Sequence, residues 1–149
     1  MEKVAGGSLV NPLVGTWQML DWYNLDENGQ KHYPLGEHAT GYINYSEDGF
    51  VFVHLMAADR KPFEVNDPFG GSEAEDSAAI KSQITYAGPY TVKGDEVIHH
   101  VTHASHPNWV GSDQIRKVKF EGRELVLSAS GAVFQGKLVT AYVIWRRAV

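Results

Sequence analysis

The sequence predicts an all-β protein: a single antiparallel, up-and-down β-barrel of about eight or more strands, with one short helix near 73–83. Three observations predict it. Turn signals built on glycine recur along the whole chain, at Glu27-Asn28-Gly29, Glu47-Asp48-Gly49, Lys93-Gly94-Asp95, Glu121-Gly122-Arg123 and Gln135-Gly136-Lys137. Asn-Gly and Asp-Gly supply the positive φ that tight hairpins need. Between the turns lie short runs rich in Val, Ile, Thr, Tyr, Phe and Trp, the composition of strands. A sheet of that many hairpin-linked strands in 149 residues must curl, and closure is what removes both of its unpaired edges.

The elements follow in chain order. A first strand near 14–23 precedes the Asn28-Gly29 turn. Strands near 40–46 and 49–57 flank Asp48-Gly49, and strands near 85–92 and 95–103 flank Lys93-Gly94. Strands near 112–120 and 123–129 flank Glu121-Gly122, and a last strand near 137–146 follows Gln135-Gly136. Residues 58–84 break the rhythm with Pro62, Pro68, Gly70 and Gly71, followed by Ser72-Glu73-Ala74-Glu75-Asp76. Ser72 with Glu75 three positions later is a capping box with acidic residues in the first turn, and it predicts the helix over 73–83. This long connection is either a surface connector or a lid over an open barrel end.

Length and composition narrow the function. The 149 residues suit one domain with a substantial core, preceded by an N-terminal extension over 1–12. With no cysteine there is no disulfide scaffold, thiolate zinc site, iron–sulfur cluster or cysteine nucleophile. Thirteen Lys+Arg against eighteen Asp+Glu, with no dense basic run, argue against a nucleic-acid partner. Nothing approaches the roughly 20 apolar residues of a membrane helix, and Met1–Gly7 lacks the apolar centre of a signal peptide. The expectation is a cytoplasmic protein without a membrane partner, and a homodimer is as compatible with the sequence as a monomer. No phosphate-binding loop, dinucleotide fingerprint, nucleophile elbow or calcium loop is present, so no cofactor is expected.

Strand alternation sorts candidate site residues. In 112–120, Lys117 and Lys119 mark one face as solvent-facing, which turns Gln114 and Arg116 inward beside Val118 and Phe120. An inward guanidinium needs a partner: a buried carboxylate, for which Asp21 and Glu96 are the nearest candidates, or a ligand's carbonyl or carboxylate. In Glu96–His103, one face carries Val97, His99, Val101 and His103, which places His99 and His103 toward the cavity and His100 on the other face. Four histidines fall within 99–106, but residues four apart on a strand are separated by roughly 13 Å, so no metal site is expected. Tyr86 and Tyr90 share a face with Gly88. In 40–46, Tyr42 opposes Tyr45, and the pattern leaves open which of the two faces inward.

Gly15-Thr16-Trp17 in the first strand resembles the Gly-x-Trp signature of the lipocalins and related calycin barrels. The match widens through Tyr33-Pro34-Leu35-Gly36, Gly41-Tyr42-Ile43-Asn44-Tyr45, Asp48-Gly49-Phe50, Tyr86-Ala87-Gly88-Pro89-Tyr90, His99-His100-Val101, Pro107-Asn108-Trp109-Val110-Gly111 and Gln114-Ile115-Arg116. Together these resemble the lipocalin-like domain family of short intracellular bacterial and fungal proteins over about 13–147. The resemblance implies a calycin-type barrel whose Trp17 plugs the closed end under Arg146 or Arg147. It also implies motif positions at His99, His100, Asn108, Trp109, Gln114 and Arg116.

Two functions fit. One is cofactor-independent acid–base chemistry of isomerase, cyclase or lyase type on a mostly apolar substrate bearing a carbonyl or carboxylate. Its catalytic residues would be His99, His103, Arg116 and Tyr86, and its ligand contacts Gln114, Asn108, Trp109, Tyr90, Tyr42 and His100. The other is a non-catalytic carrier using the same cavity and the same Arg anchor. Arg, Gln and two His on inward faces lean the reading toward chemistry.

Overall fold

The computed structural model describes residues 11–149. Its strands are β1 Gly15–Asp26, β2 Lys31–His32, β3 Thr40–Tyr45, β4 Phe50–Met56, β5 Gln83–Lys93, β6 Glu96–His100, β7 His103–Ala104, β8 Asp113–Glu121, β9 Glu124–Phe134 and β10 Lys137–Arg147. Helix α1 spans Glu73–Lys81, and a 3-10 turn spans Pro107–Trp109. Strands β1, β3, β4, β5, β6, β8, β9 and β10 pair antiparallel in that order, and β10 returns to pair with β1 from Trp17↔Arg147 to Asp26↔Val139. The sheet is therefore a closed eight-stranded barrel, with the two-residue strands β2 and β7 added on β1 and β5. Every predicted strand is present. The predicted 95–103 strand stops at His100, and α1 stops at Lys81 rather than 83. Of the expected 1–12 extension, residues 1–10 lie outside the described residues.

Turn chemistry drives the hairpins. At the β9–β10 turn both Gln135 and Gly136 adopt positive φ (53° and 76°), the primed geometry that matches strand twist. Helix α1 has the expected capping box: Ser72 Oγ accepts from the Glu75 N–H at 3.2 Å, and Glu75 Oε1 accepts from the Ser72 N–H at 3.0 Å. Arg60 closes the other end, donating to Ser82 Oγ and to the Ala79 carbonyl. The helix buries no residue and lies across the outside of one barrel end.

The opposite end is sealed. Trp17 is buried there, donating from Nε1 to the Leu13 carbonyl at 2.8 Å, with the Arg147 guanidinium 4.3 Å above its ring. Arg147, not Arg146, is the stacking residue. It also donates to the Val14 and Pro12 carbonyls at 2.8 Å each, whereas Arg146 lies outside against Glu124. Tyr90 belongs to this sealed end, accepting from Asn11 Nδ2 and donating to the Ser46 carbonyl. Gly15 is required here twice over. Its φ is +128°, and a Cβ would stand 2.6 Å from Arg147 Nη1. Gly15→Ala is therefore expected to destabilise the fold by about 1–3 kcal/mol, the range for a side chain forced into a glycine-only conformation. Urea unfolding of the variant against the parent checks this.

Candidate functional site

The barrel interior holds a cavity of about 730 Å³ that opens at the end opposite Trp17. Most of its wall is apolar, from Ile43, Val53, Leu55, Leu127, Val143 and Trp145. The mouth is framed by Pro34, Leu35, Ile80, Lys81, His106 and Phe134. Residues of α1 thus reach the opening, so the 58–84 connection covers part of the mouth as well as crossing the surface. A polar cluster interrupts the apolar wall, made of Tyr86 from β5, His99 from β6, and Gln114 and Arg116 from β8; Gln83, Ser105 and Gln135 are further polar residues of the lining. The ladder places them side by side, with His99 opposite Gln114 and Val97 opposite Arg116.

His99 is only 1% exposed and sits between two phenols. Its Nε2 lies 2.7 Å from the Tyr45 hydroxyl, and its Nδ1 lies 2.7 Å from the Tyr86 hydroxyl. Burial, reinforced by the nearby Arg116 charge and by His100, lowers its pKa to about 3, so the imidazole is neutral. A neutral imidazole has one donor and one acceptor nitrogen. Tyr45 is fully buried, and its hydroxyl has no other hydrogen-bond partner among the described residues, so its O–H donates to Nε2. The reverse arrangement would orphan a buried O–H at a cost of about 1–3 kcal/mol. Nδ1–H then donates to Tyr86 Oη, and the Tyr86 O–H is left with no acceptor but what enters the cavity. Burial raises the pKa of both phenols, with Arg116 opposing the rise, so both stay protonated near neutral pH.

Arg116 faces inward as the alternation requires. Its guanidinium donates to Gln114 Oε1 at 3.2 Å and to the Ile115 carbonyl at 3.1 Å. Among the described residues it pairs with no carboxylate, Asp21 and Glu96 included. Trp109 leans over the cluster, its ring edge-on to Tyr86 at 5.8 Å and to His106 at 5.3 Å.

The other expected site residues lie elsewhere. His103 is exposed and does not reach the cavity. Tyr90 pairs with His99, yet Ala87, three residues back on β5, pairs with His103, four residues further on. The extra residue at 101–102 is a bulge that flips the side chains of β7 to the other face. His100 is on the outer wall, bonded to Asp113 and Thr91. Tyr42 is 54% exposed, because its counterpart on the opposite face of β3, Tyr45, is the one that fills the core. Asn108 is exposed on the 3-10 turn and does not line the cavity. Tyr90 serves the sealed end rather than the cavity. The residue that sequence reasoning left undecided, Tyr45, fixes the tautomer of His99. Among the described residues, no group of three or more His, Asp or Glu is placed to hold a metal ion, and no helix is long and apolar enough to cross a membrane.

These features define a small closed β-barrel with one open end and an interior large enough for a small molecule. Residues 14–148 match the model of the lipocalin-like domain family, and the chain belongs to that family. It is 31% identical over 104 residues to the 4'-hydroxy-3'-methoxypropiophenone carrier protein ppsC of Aspergillus oryzae, a match covering 64% of this chain and 94% of that protein. Among solved structures it is similar to the crystal structure of a point mutant of the fluorescent protein UnaG, with 14% identity, a TM-score of 0.42, and coverage of 94% of this chain and 99% of that one.

The neutral His99 makes stability depend on pH. In the unfolded chain its imidazole takes up a proton near its ordinary value of 6.5, in the folded site only near 3. Acidification between these values favours the unfolded state, and the loss is complete only below both. Between about pH 7.5 and 4.5 this group is expected to remove about 2–3 kcal/mol of stability. Urea unfolding of the parent and of His99→Gln at the two pH values checks this: the variant starts less stable but falls by less.

Proposed function

We propose that this chain is a binding or carrier protein that holds a small, mostly apolar aromatic molecule bearing a carbonyl, carboxylate or phenol oxygen inside the barrel. One observation carries the reading: a mostly apolar cavity of about 730 Å³ with a polar cluster in its wall in which Arg116 has no carboxylate partner among the described residues. A pocket of that character orients a ligand by its polar end and retains it by apolar contact. The similarity to a protein named as the carrier of an aryl ketone supports the same class of ligand. In the cytoplasm such a protein would buffer or deliver a sparingly soluble molecule.

The enzymatic alternative, an isomerase, cyclase or lyase, draws on the Tyr86 hydroxyl, which is aimed into the cavity with His99 behind it. Three facts weigh against it. The proton chain ends blindly at the fully buried Tyr45, so a proton given up by Tyr86 has no route of return from bulk water through it. His99 is also too weak a base at a pKa of about 3. The second inward histidine that favoured chemistry, His103, lies outside the barrel.

Fluorescence titration with an aryl ketone tests the reading, followed by mass spectrometry of the recovered ligand. Saturable binding with the ligand returned unchanged is expected, and a converted product would favour the enzyme. Arg116→Leu should keep the fold yet weaken binding by about 2–5 kcal/mol, the range for truncating one member of a desolvated charged contact. Lys117→Leu, on the outer face one position along, should change neither.

A further inference from the structure

We propose that the cavity selects the ionised form of its ligand, holding an aryl oxyanion, phenolate or carboxylate, against Tyr86 and Arg116. This rests on the reading of the barrel as a small-molecule binder and adds the charge state. Two independent observations support it.

The first is the direction of the buried hydrogen-bond chain. Tyr45 donates to His99 Nε2, His99 donates from Nδ1 to Tyr86, whose oxygen also faces the Arg116 guanidinium, and the Tyr86 O–H is left to donate onward. Gln114 Oε1 is engaged by Arg116, and Gln114 Nε2 donates to Ser112 Oγ at 3.2 Å. What the cluster offers an incoming oxygen is therefore donors: the Tyr86 O–H and the free N–H groups of Arg116. A protonated phenol or acid would bring its own O–H to a cluster in which donors outnumber acceptors and Gln114 Oε1 already takes a bond from Arg116, and an oxyanion brings only lone pairs.

The second is the charge of the lining. The chain has 18 Asp+Glu and a net charge of -5, yet among the described residues no Asp or Glu lines the cavity. The titratable groups that face it are Tyr86 from β5, His99 from β6, Arg116 from β8, Lys81 from α1 and His106 beside the 3-10 turn, with Tyr45 from β3 behind His99. Strands β1, β4, β9 and β10 contribute only uncharged side chains. Arg116, half-buried in the apolar wall, acts on a ligand at short range with less screening than Lys81, which is exposed at the mouth. On binding, a neutral phenol gives its proton to bulk water through the open mouth, and the anion stays on Tyr86 and Arg116.

The experiment is a spectrophotometric pH titration of 4'-hydroxypropiophenone, free and bound to the full chain, read at the long-wavelength phenolate band. The 4'-methoxy ether and 4-propylbenzoate serve as parallel ligands. The bound phenol is expected to ionise at least about one pH unit below the free one, equivalent to phenolate binding about tenfold tighter than phenol. The ether is expected to bind more weakly than the phenol above that pH, and Arg116→Gln and Tyr86→Phe should each shrink the shift. Tight binding of the benzoate with an unshifted phenol assigns the site to carboxylates; the two shifting together assigns it to oxyanions of both kinds. Binding of phenol and ether with equal affinity, independent of pH, together with weak benzoate binding, overturns the charge selection and leaves the binding function standing. Failure of all three ligands to saturate the protein overturns both.

Discussion

Closure of the sheet by the β1–β10 ladder is the constraint on which the rest of the molecule depends. Once Trp17 pairs with Arg147 and Asp26 with Val139, every second side chain of eight strands is committed to an interior that water reaches from one end only. Apolar residues gain from this without further conditions. Polar ones must find partners inside. Asn24 meets the indole N–H of Trp22, and His99 meets two phenols. Arg116 meets only neutral acceptors and is left with donors to spare. The polar character of the cluster is thus what remains after these pairings, and it is dominated by donors; the buried indole N–H of Trp145, also in the lining, has no partner among the described residues.

The same closure makes the two ends different. At the sealed end Leu13, Trp17 and Arg147 interlock through hydrogen bonds to carbonyls of the chain just before β1, and Tyr90 ties Asn11 to the β3–β4 turn. At the open end the covering pieces are short: α1, the Pro34-Leu35 turn and the 3-10 turn, none with a fully buried helix face. Phe69 in the strap before α1 is 97% exposed, so this covering segment contributes little to the core. Segments with few buried contacts open at low free energy. A rigid floor beneath a loosely held rim suits entry and exit of a ligand through one end.

How much of this the sequence revealed follows from what alternation can report. In β8 two lysines on one face leave no doubt about the other, and Gln114 and Arg116 point inward as that pattern requires. The capping box at Ser72 and Glu75 is a local signal and forms locally. The reading fails where parity is broken by something non-local. One inserted residue at 101–102 inverts His103, and nothing between Val101 and His103 announces it, because the bulge is set by how β5 must pair with both β6 and β7. Tyr42 and Tyr45 are chemically identical, so a strand bearing one on each face carries no information about which is buried. Only the position of His99 across the barrel decides it.

The function of His99 is correspondingly indirect. Its pKa of about 3 removes it as a base, and the buried phenol behind it prevents it from relaying a proton to solvent. What it can do is transmit direction. A histidine with one free choice of tautomer would let Tyr86 act as donor or acceptor, and the cavity would then accept alcohols, acids and ketones alike. Tyr45 takes that choice away by needing an acceptor of its own. Three residues from three strands therefore convert one buried hydroxyl with nowhere else to donate into a fixed donor at the cavity wall, set beside a guanidinium that the fold leaves without a counter-charge among the described residues. A ligand group that completes both would gain from each, which is how an otherwise apolar pocket would discriminate by polarity and not by shape alone.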